Sequence, residues 1–322
     1  MNKHSILEFI TNYKESSAFL AAMKLNIFDV LIESPMNLEN LAKEIKVDKT
    51  LLQMLLSYLM LNELVEEKDE IWQVSEEFKK DYVAANENIL AHELNICNKW
   101  VTAETIEDCV KRGLSKRKFD IDGFSLKDKN IYSKAMYGNN VRHIAFWIKR
   151  IAKLSGSLNI LEMGRSTGNL ALELKKSLPE SKIKAAVKKE FFEITKESVR
   201  ETEVLEEFAF DQYYDVICIF NTIHYWSQDE LNNWFKKIKK VIKKDSLICV
   251  IDIFVDEKNS RFEKNFLLDW ITHGGVFNFA SKEVEQVMQE NGLSHFKTKD
   301  LPDFSSKILF FKNEAGDVSD EQ

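Results

Sequence analysis

The sequence predicts an α/β protein in two parts, an N-terminal all-α winged-helix domain followed by a doubly wound α/β domain. Three observations predict it. Apolar residues recur at helical spacing up to about residue 150; from residue 158 short apolar runs alternate with amphipathic helices; and 322 residues with 44% hydrophobic side chains exceed one small core. The reading divides the chain into residues 1–83, a helical linker with further helices at 84–150, the α/β domain at 151–312, and a disordered acidic tail at 313–322.

Ile6, Phe9, Ile10 and Tyr13, then Phe19, Leu20, Met23, Ile27 and Phe28, mark two helices that Ser34-Pro35 ends. Asn37 caps "LENLAKEI" and Asp48 caps "KTLLQMLLSYLMLNEL". "LVEEKDEIWQVS" reads as two short strands about a Lys68-Asp69-Glu70 turn, so three helices and a hairpin make a winged helix. A winged helix that reads DNA needs a basic, polar-tipped recognition helix, whereas residues 51–61 are Leu-Leu-Gln-Met-Leu-Leu-Ser-Tyr-Leu-Met-Leu. That helix is built for burial.

Residues 84–150, including "NKWVTAETIEDCVKRG" and "YSKAMYGNNVRHIAFWIKRIAKL", read as helical; Lys111, Arg112, Lys116, Arg117 and Lys118 form a solvated basic loop with no assigned role. The strands that follow are "LNILEM", "KIKAAV", "YDVICIF", "SLICVIDIF" and "SKILFFK". Sheets of this kind bind ligands beyond the carboxyl ends of their strands, here just after Met163, Val187, Phe220 and Phe254. In "ILEMGRSTGNL" Gly164 allows a tight turn and Gly168 lets the next helix approach, while amides at that helix start face a polar ligand.

A net charge of −7 argues against nucleic-acid and anionic-membrane partners, which select basic faces. No signal peptide or spanning apolar run is present, so the expected location is the cytoplasm. Cys97, Cys109, Cys218 and Cys249 lack metal-ligand spacing and are expected as free thiols.

Taken together, these segments resemble the SAM-dependent O-methyltransferases of the plant caffeate and bacterial polyketide or hydroxyindole type, from about residue 10 to about 312. "AFLAAMKLNIFDVL" and "LLQMLLSYLMLNELVEE" look like the family's winged-helix dimerisation domain, and "YSKAMYGNN" is similar to its pocket motif, which places Tyr132 and Met136 at the substrate. "LEMGRSTGNLALEL" resembles the cofactor loop of the Rossmann-like domain, putting Glu162, Gly164, Ser166 and Gly168 on S-adenosyl-L-methionine. "IHYWSQDELNNWFKKIKKVIK" resembles the base-bearing segment, with His224 as general base and Trp226 at the substrate; "FLLDWITHGGVFNFASKEVEQVMQENGL" resembles the pocket helix, with Asp269 and His273 at the substrate. The resemblance implies a homodimer, or a heteromer with a homologue, in which His224 takes a proton from the hydroxyl of a small aromatic or polyketide-like metabolite. Imidazole suits that task because its pKa lies near operating pH.

The departures gather on the cofactor. The family's ribose-binding acid falls on Val187, followed by Lys188 and Lys189; Ser166, flanked by Arg165, replaces the loop's middle glycine; and the 28 positions from Val187 to Asp215 are fewer than the family pattern, implying a trimmed helix or strand. Tyr225 stands where an acid usually follows the histidine, and Phe277 does not match the expected carboxylate near Gly274-Gly275, so the base is expected to lack its acidic companions. Two other readings therefore stand beside methyl transfer: a cofactor-free lyase or cyclase using His224, and a non-catalytic partner subunit. Lys188 and Lys189 are read as solvated and not as a nucleotide-phosphate site. No metal is assigned to His143, His224, His273 and Asp269, and Phe146, Trp147, Trp226, Trp270 and Phe277 have the character of core side chains.

Overall fold

The computed structural model describes residues 11–85, 87–113, 124–138, 141–164, 168–200, 202–206, 210, 212–254, 267–272, 279–301 and 306–314. The chain forms two compact units, Met1–Leu90 and Ala91–Gln322. Most of the helices expected as a separate linker fall within the second unit.

In the first unit, α1 (Tyr13–Lys24) and α2 (Ile27–Glu33) are separated at Asn26, whose left-handed backbone, φ 58°, breaks the helix. Next come β1 (Met36–Asn37), α3 (Leu38–Glu44), α4 (Lys49–Leu61), β2 (Val65–Lys68), β3 (Ile71–Val74) and α5 (Glu76–Ala84). The Asn37 side chain accepts from the Asn40 amide and Asp48 from the Leu51 amide, both at 2.9 Å, satisfying donors that a helix start leaves open. Lys68 pairs with Ile71 across the hairpin, and both intervening residues, Asp69 and Glu70, have positive φ, the turn geometry that matches strand twist. Helix α4 buries Leu52, Leu56 and Leu59 at i, i+4 and i+7, each contributing about 1.5–3 kcal/mol. Its other side keeps Leu51, Met54 and Leu61 at 65–79% exposure, so burial is completed within this chain for only one side of the helix.

Helix α6 (Glu87–His92) crosses the boundary between the units, and the second unit then has a π-helical turn (Glu93–Cys97), α7 (Ala103–Arg112), α8 (Leu126–Gly138) and α9 (Val141–Ile151). It continues with β4 (Asn159–Gly164), α10 (Asn169–Ser177), β5 (Lys182–Val187), α11 (Phe192–Ser198), β6 (Glu203–Glu206), β7 (Tyr214–Phe220), α12 (Gln228–Ile238), β8 (Ile242–Asp252), α13 (Ser281–Glu290), β9 (Leu293–Leu301) and β10 (Ser306–Asn313). Strand order is β6-β5-β4-β7-β8-β10-β9, parallel from β6 to β8, with β10 antiparallel to both β8 and β9. Alternation splits β7 between two cores: Ile217 and Ile219 face the layer containing α12 and α13, while Val216, Cys218 and Phe220 face α9 and α10. Cys218 pairs in register with Cys249, and all four cysteines are free thiols.

Besides the two-residue β1, two strands of the seven-stranded sheet escaped the sequence reading. "EVLE" (β6) and "LSHFKTKDL" (β9) are the two sheet edges, where part of each strand meets solvent and charged side chains replace the apolar run that marks an inner strand. The segment expected to be trimmed still holds a seven-residue helix and a four-residue strand. Among the described residues no helix is long and apolar enough to cross a membrane.

Candidate active site

The order of strands reverses between β4 and β7, and the carboxyl ends of those two strands and of β8 bring together the residues of interest. Gly164, with φ 144°, ends β4. A Cβ there would lie 2.2 Å from the Phe220 carbonyl oxygen, so the close approach of β4 to β7 requires glycine. Gly168, with φ 76°, precedes α10, and a Cβ there would press on Thr195 Cγ2 at 2.9 Å and on Ala185. Both glycines are thus required by packing around the loop. Ser166 lies outside the described residues. Glu162 is buried in β4 and accepts the Ala171 amide at 2.6 Å, tying the strand to the first turn of α10.

After β7 the chain turns at Asn221, whose φ of 50° is a conformation asparagine tolerates better than most side chains. The next residues form a single turn, Ile223–Tyr225, which places His224 at 4% exposure. Its Nδ1 lies 2.8 Å from Asp252 Oδ1. Asp252 closes β8 and is itself fully enclosed. Its Oδ2 accepts the Thr222 and Ile223 amides at 2.9 Å each, and Oδ1 also accepts the Ile253 amide at 2.8 Å.

The expectation that the histidine lacks an acidic companion is therefore corrected: the carboxylate comes from the neighbouring strand and not from residue 225 or 277. A carboxylate accepting three amides acts as an acceptor toward the imidazole, which assigns the proton to Nδ1 and leaves the lone pair on Nε2. Such a pair holds the ring in the tautomer of a general base and stabilises the imidazolium that proton uptake creates. The Trp270 ring stacks on the imidazole at 4.9 Å and 18°, with Tyr225 at 4.2 Å, and the Trp270 face also favours a cation.

The other candidate residues fall into separate settings. Trp226 stacks on Trp234 at 4.8 Å within the core, so of the two tryptophans it is Trp270, on the helical residues 267–272, that meets the histidine. Tyr132 is buried on α8 among the rings of His92, Phe124 and Phe191, at 5.9 to 6.2 Å. Met136 is on the same helix, its side chain outside the described residues, as is all of His273. His143 is exposed on α9. Asp269, next to Trp270, is pushed up to about 7 by burial and by the nearby Glu93 carboxyl. Glu93 borders solvent, yet the protein packed around its carboxyl raises it too. Tyr132, His92, Glu93, Asp269, Trp270 and His224 therefore form a sequence of neighbours, each linked to the next by adjacency in the chain, a ring contact or a charge interaction.

Asp252 was the one group with a readable signal that sequence reasoning passed over. It is the only charge within "LICVIDIF", at a strand end beside the histidine strand, but its distance of 28 positions from His224 hid the pairing. Trp270 and Glu93 carried no such signal.

The donor set fits part of S-adenosyl-L-methionine. The amides that open α10 after Gly168 suit a polar group, whereas the end of β5, where the resemblance implies a ribose-binding acid, presents buried Val187.

Comparison with known proteins places these features. Residues 7–85 match the O-methyltransferase dimerisation domain. O-methyltransferase 7 of Dictyostelium discoideum is 22% identical over 305 residues, covering 91% of this chain and 89% of that protein. Among solved structures, the mitomycin 7-O-methyltransferase superposes with a TM-score of 0.77 at 15% identity, over 96% of each chain. Human N-acetylserotonin methyltransferase in complex with SAM gives 0.75 at 14% identity, over 98% of this chain and 100% of that one. A methyltransferase of calicheamicin biosynthesis in its SAH-bound form gives 0.70 at 16%, over 95% and 96%. At these identities the likeness to solved structures establishes the fold.

Proposed function

We propose that this chain, which belongs with the O-methyltransferases in its dimerisation domain and in its fold, transfers a methyl group from S-adenosyl-L-methionine to a hydroxyl of a small aromatic or polyketide-like metabolite. The observation that carries this reading is the buried His224–Asp252 pair beside the glycine-cornered loop. His224 Nε2 accepts the hydroxyl proton as the oxygen becomes a nucleophile; Asp252 holds the ring in place and Trp270 covers one face. The loop between Gly164 and Gly168 would hold the amino-acid end of the cofactor, which when bound supplies an electrophilic methyl on a sulfonium. Tyr132, Met136, Asp269, Trp270 and His273 would meet the acceptor, and Trp226 supports the site from the core behind it.

The exposed apolar side of α4, within the matched dimerisation domain, supports a homodimer. Val187 favours a second reading, in which the fold persists without methyl transfer and His224 serves a cofactor-free lyase or cyclase, or the chain is a partner subunit. Calorimetric titration with SAM and S-adenosylhomocysteine separates them. Micromolar binding, followed by SAH release with a panel of hydroxylated aromatics, is the expected result; no binding at millimolar ligand sinks the methyltransferase reading.

A further inference from the structure

One cluster lies outside this chemistry. His92 ends α6, and Glu93 to Cys97 form the π-helical turn that follows, with the Asn98 amide donating to the Glu93 carbonyl five residues back. On an α-helix residues five apart point about 140° from one another, since each step turns about 100°. A π-turn is wider and brings i and i+5 toward the same side, a distortion that recurs at functional sites. Here it sets His92 Nδ1 3.4 Å from Cys97 Sγ, and the ligand atoms of His92, Glu93 and Cys97 all lie within 4.8 Å of one another.

We propose that His92, Glu93 and Cys97 form a binding site for a divalent cation of the zinc class. Nitrogen, sulfur and carboxylate oxygen together are the donors that a borderline-soft cation takes. A zinc ion with Zn–S of about 2.3 Å and Zn–N of about 2.0 Å at tetrahedral angles requires sulfur and nitrogen about 3.5 Å apart, the separation already present. Glu93, half turned to solvent, supplies an entry path and the third ligand. The carboxyls of Glu93 and Asp269 both act on the Cys97 thiol by their charge, so the surroundings favour a cation. Three protein ligands leave one tetrahedral position open for water or a ligand. The site stands independently of the methyl-transfer reading.

Cobalt(II) is the probe, because a thiolate ligand produces a near-ultraviolet charge-transfer band. Full-length protein freed of metal by a chelator is titrated with cobalt(II), and zinc(II) then displaces it. The expected result is one equivalent per chain with the thiolate band. His92→Gln should lower affinity by about a hundredfold or more, since even supporting groups behind a ligand are worth about ten- to a hundredfold. Cys97→Ser should remove the band and Cys109→Ser should leave it intact. Circular dichroism verifies each fold, and because Cys97 is buried, half-buried His92 supplies the deciding variant if Cys97→Ser fails to fold. No band with the wild-type protein, or a band unchanged in His92→Gln or in folded Cys97→Ser, overturns the site and leaves a thiol–imidazole hydrogen bond alone.

Discussion

Replacing Asp252 by asparagine tests the pairing that the proposed chemistry rests on. The side chain keeps its shape but exchanges one acceptor oxygen for an NH2 group. The Oδ2 position accepts two amides, from Thr222 and Ile223, so the remaining oxygen should stay there and the NH2 group should turn toward His224 Nδ1 and the Ile253 amide. An NH2 group only donates, which forces Nδ1 to become the acceptor and moves the ring proton to Nε2. The Ile253 amide loses its partner at a cost of about 1–3 kcal/mol in stability. The base loses its lone pair at the reacting position, and the same replacement in a serine-protease triad lowers kcat about 10⁴-fold, against about 10² to 10⁴ for general-base catalysis overall. The assay that needs no acceptor is nitrogen-15 NMR of histidine-labelled protein, with His224 identified among the six histidines by its loss in His224→Gln. Wild-type protein should show the proton on Nδ1 and Asp252→Asn should show it on Nε2. Once an acceptor is found, SAH release should fall at least a hundredfold in Asp252→Asn and no less in His224→Gln. An unchanged tautomer together with wild-type turnover would refute the role given to the carboxylate.

Three further predictions follow from the same geometry. Val187→Asp restores an acid at the end of β5 and should tighten SAM binding about ten- to a hundredfold, the worth of about 1.5–3 kcal/mol for a hydrogen bond to a charged group; unchanged calorimetric affinity would mean that the cofactor does not pass this strand end. Gly164→Ala places a methyl 2.2 Å from the Phe220 carbonyl and should exceed the usual loss of about 0.5–3 kcal/mol for one substitution, read as a lost cooperative melt, while Gly156→Ala, whose positive φ brings backbone strain but which meets no atom within 4 Å, controls for strain without the clash and should lose less. Asp269 bears on pH dependence. Its carboxyl is raised from 3.8 to about 7, so between those values the native state holds a proton that the unfolded chain has released; stability falls as pH rises through this window and is flat above it. Asp269→Asn should remove that downward component, raising the melting temperature at pH 8 relative to wild type in chelator-treated protein, with no difference near pH 4; equal melting curves at pH 8 would show that the native fold does not raise this carboxyl.

Much of the architecture could be read before any coordinates. Helix spacing and the caps at Asn37 and Asp48 are local, so they located the winged-helix elements, and the inner strands announced themselves as apolar runs because both faces of a central strand are buried. The edge strands β6 and β9 did not, since a strand with one open edge tolerates charge. Gly164 and Gly168 were singled out by their place after a strand, and His224 by the resemblance of its segment to the family's base-bearing one. The reason for each glycine was legible only in part: the atoms that exclude a Cβ at Gly164 and Gly168 belong to β7, β5 and the helix after β5.

What the sequence by itself determined is what depends on neighbours along the chain: helices, caps, the hairpin turn, and the places where a doubly wound sheet opens toward a ligand. What only the tertiary structure decided is what depends on parallel strands lying side by side. Asp252 reaches His224 because β7 and β8 are adjacent and in register, Phe220 beside Ile251, although 28 residues separate the pair. Trp270 in place of Trp226 stacks on the imidazole, and a π-turn brings together His92 and Cys97, whose spacing of five on a regular helix would point them apart. Periodicity records which face of an element is buried, but the partner across that face is set by packing, and at this site packing selects the acid, the ring and the turn that complete it.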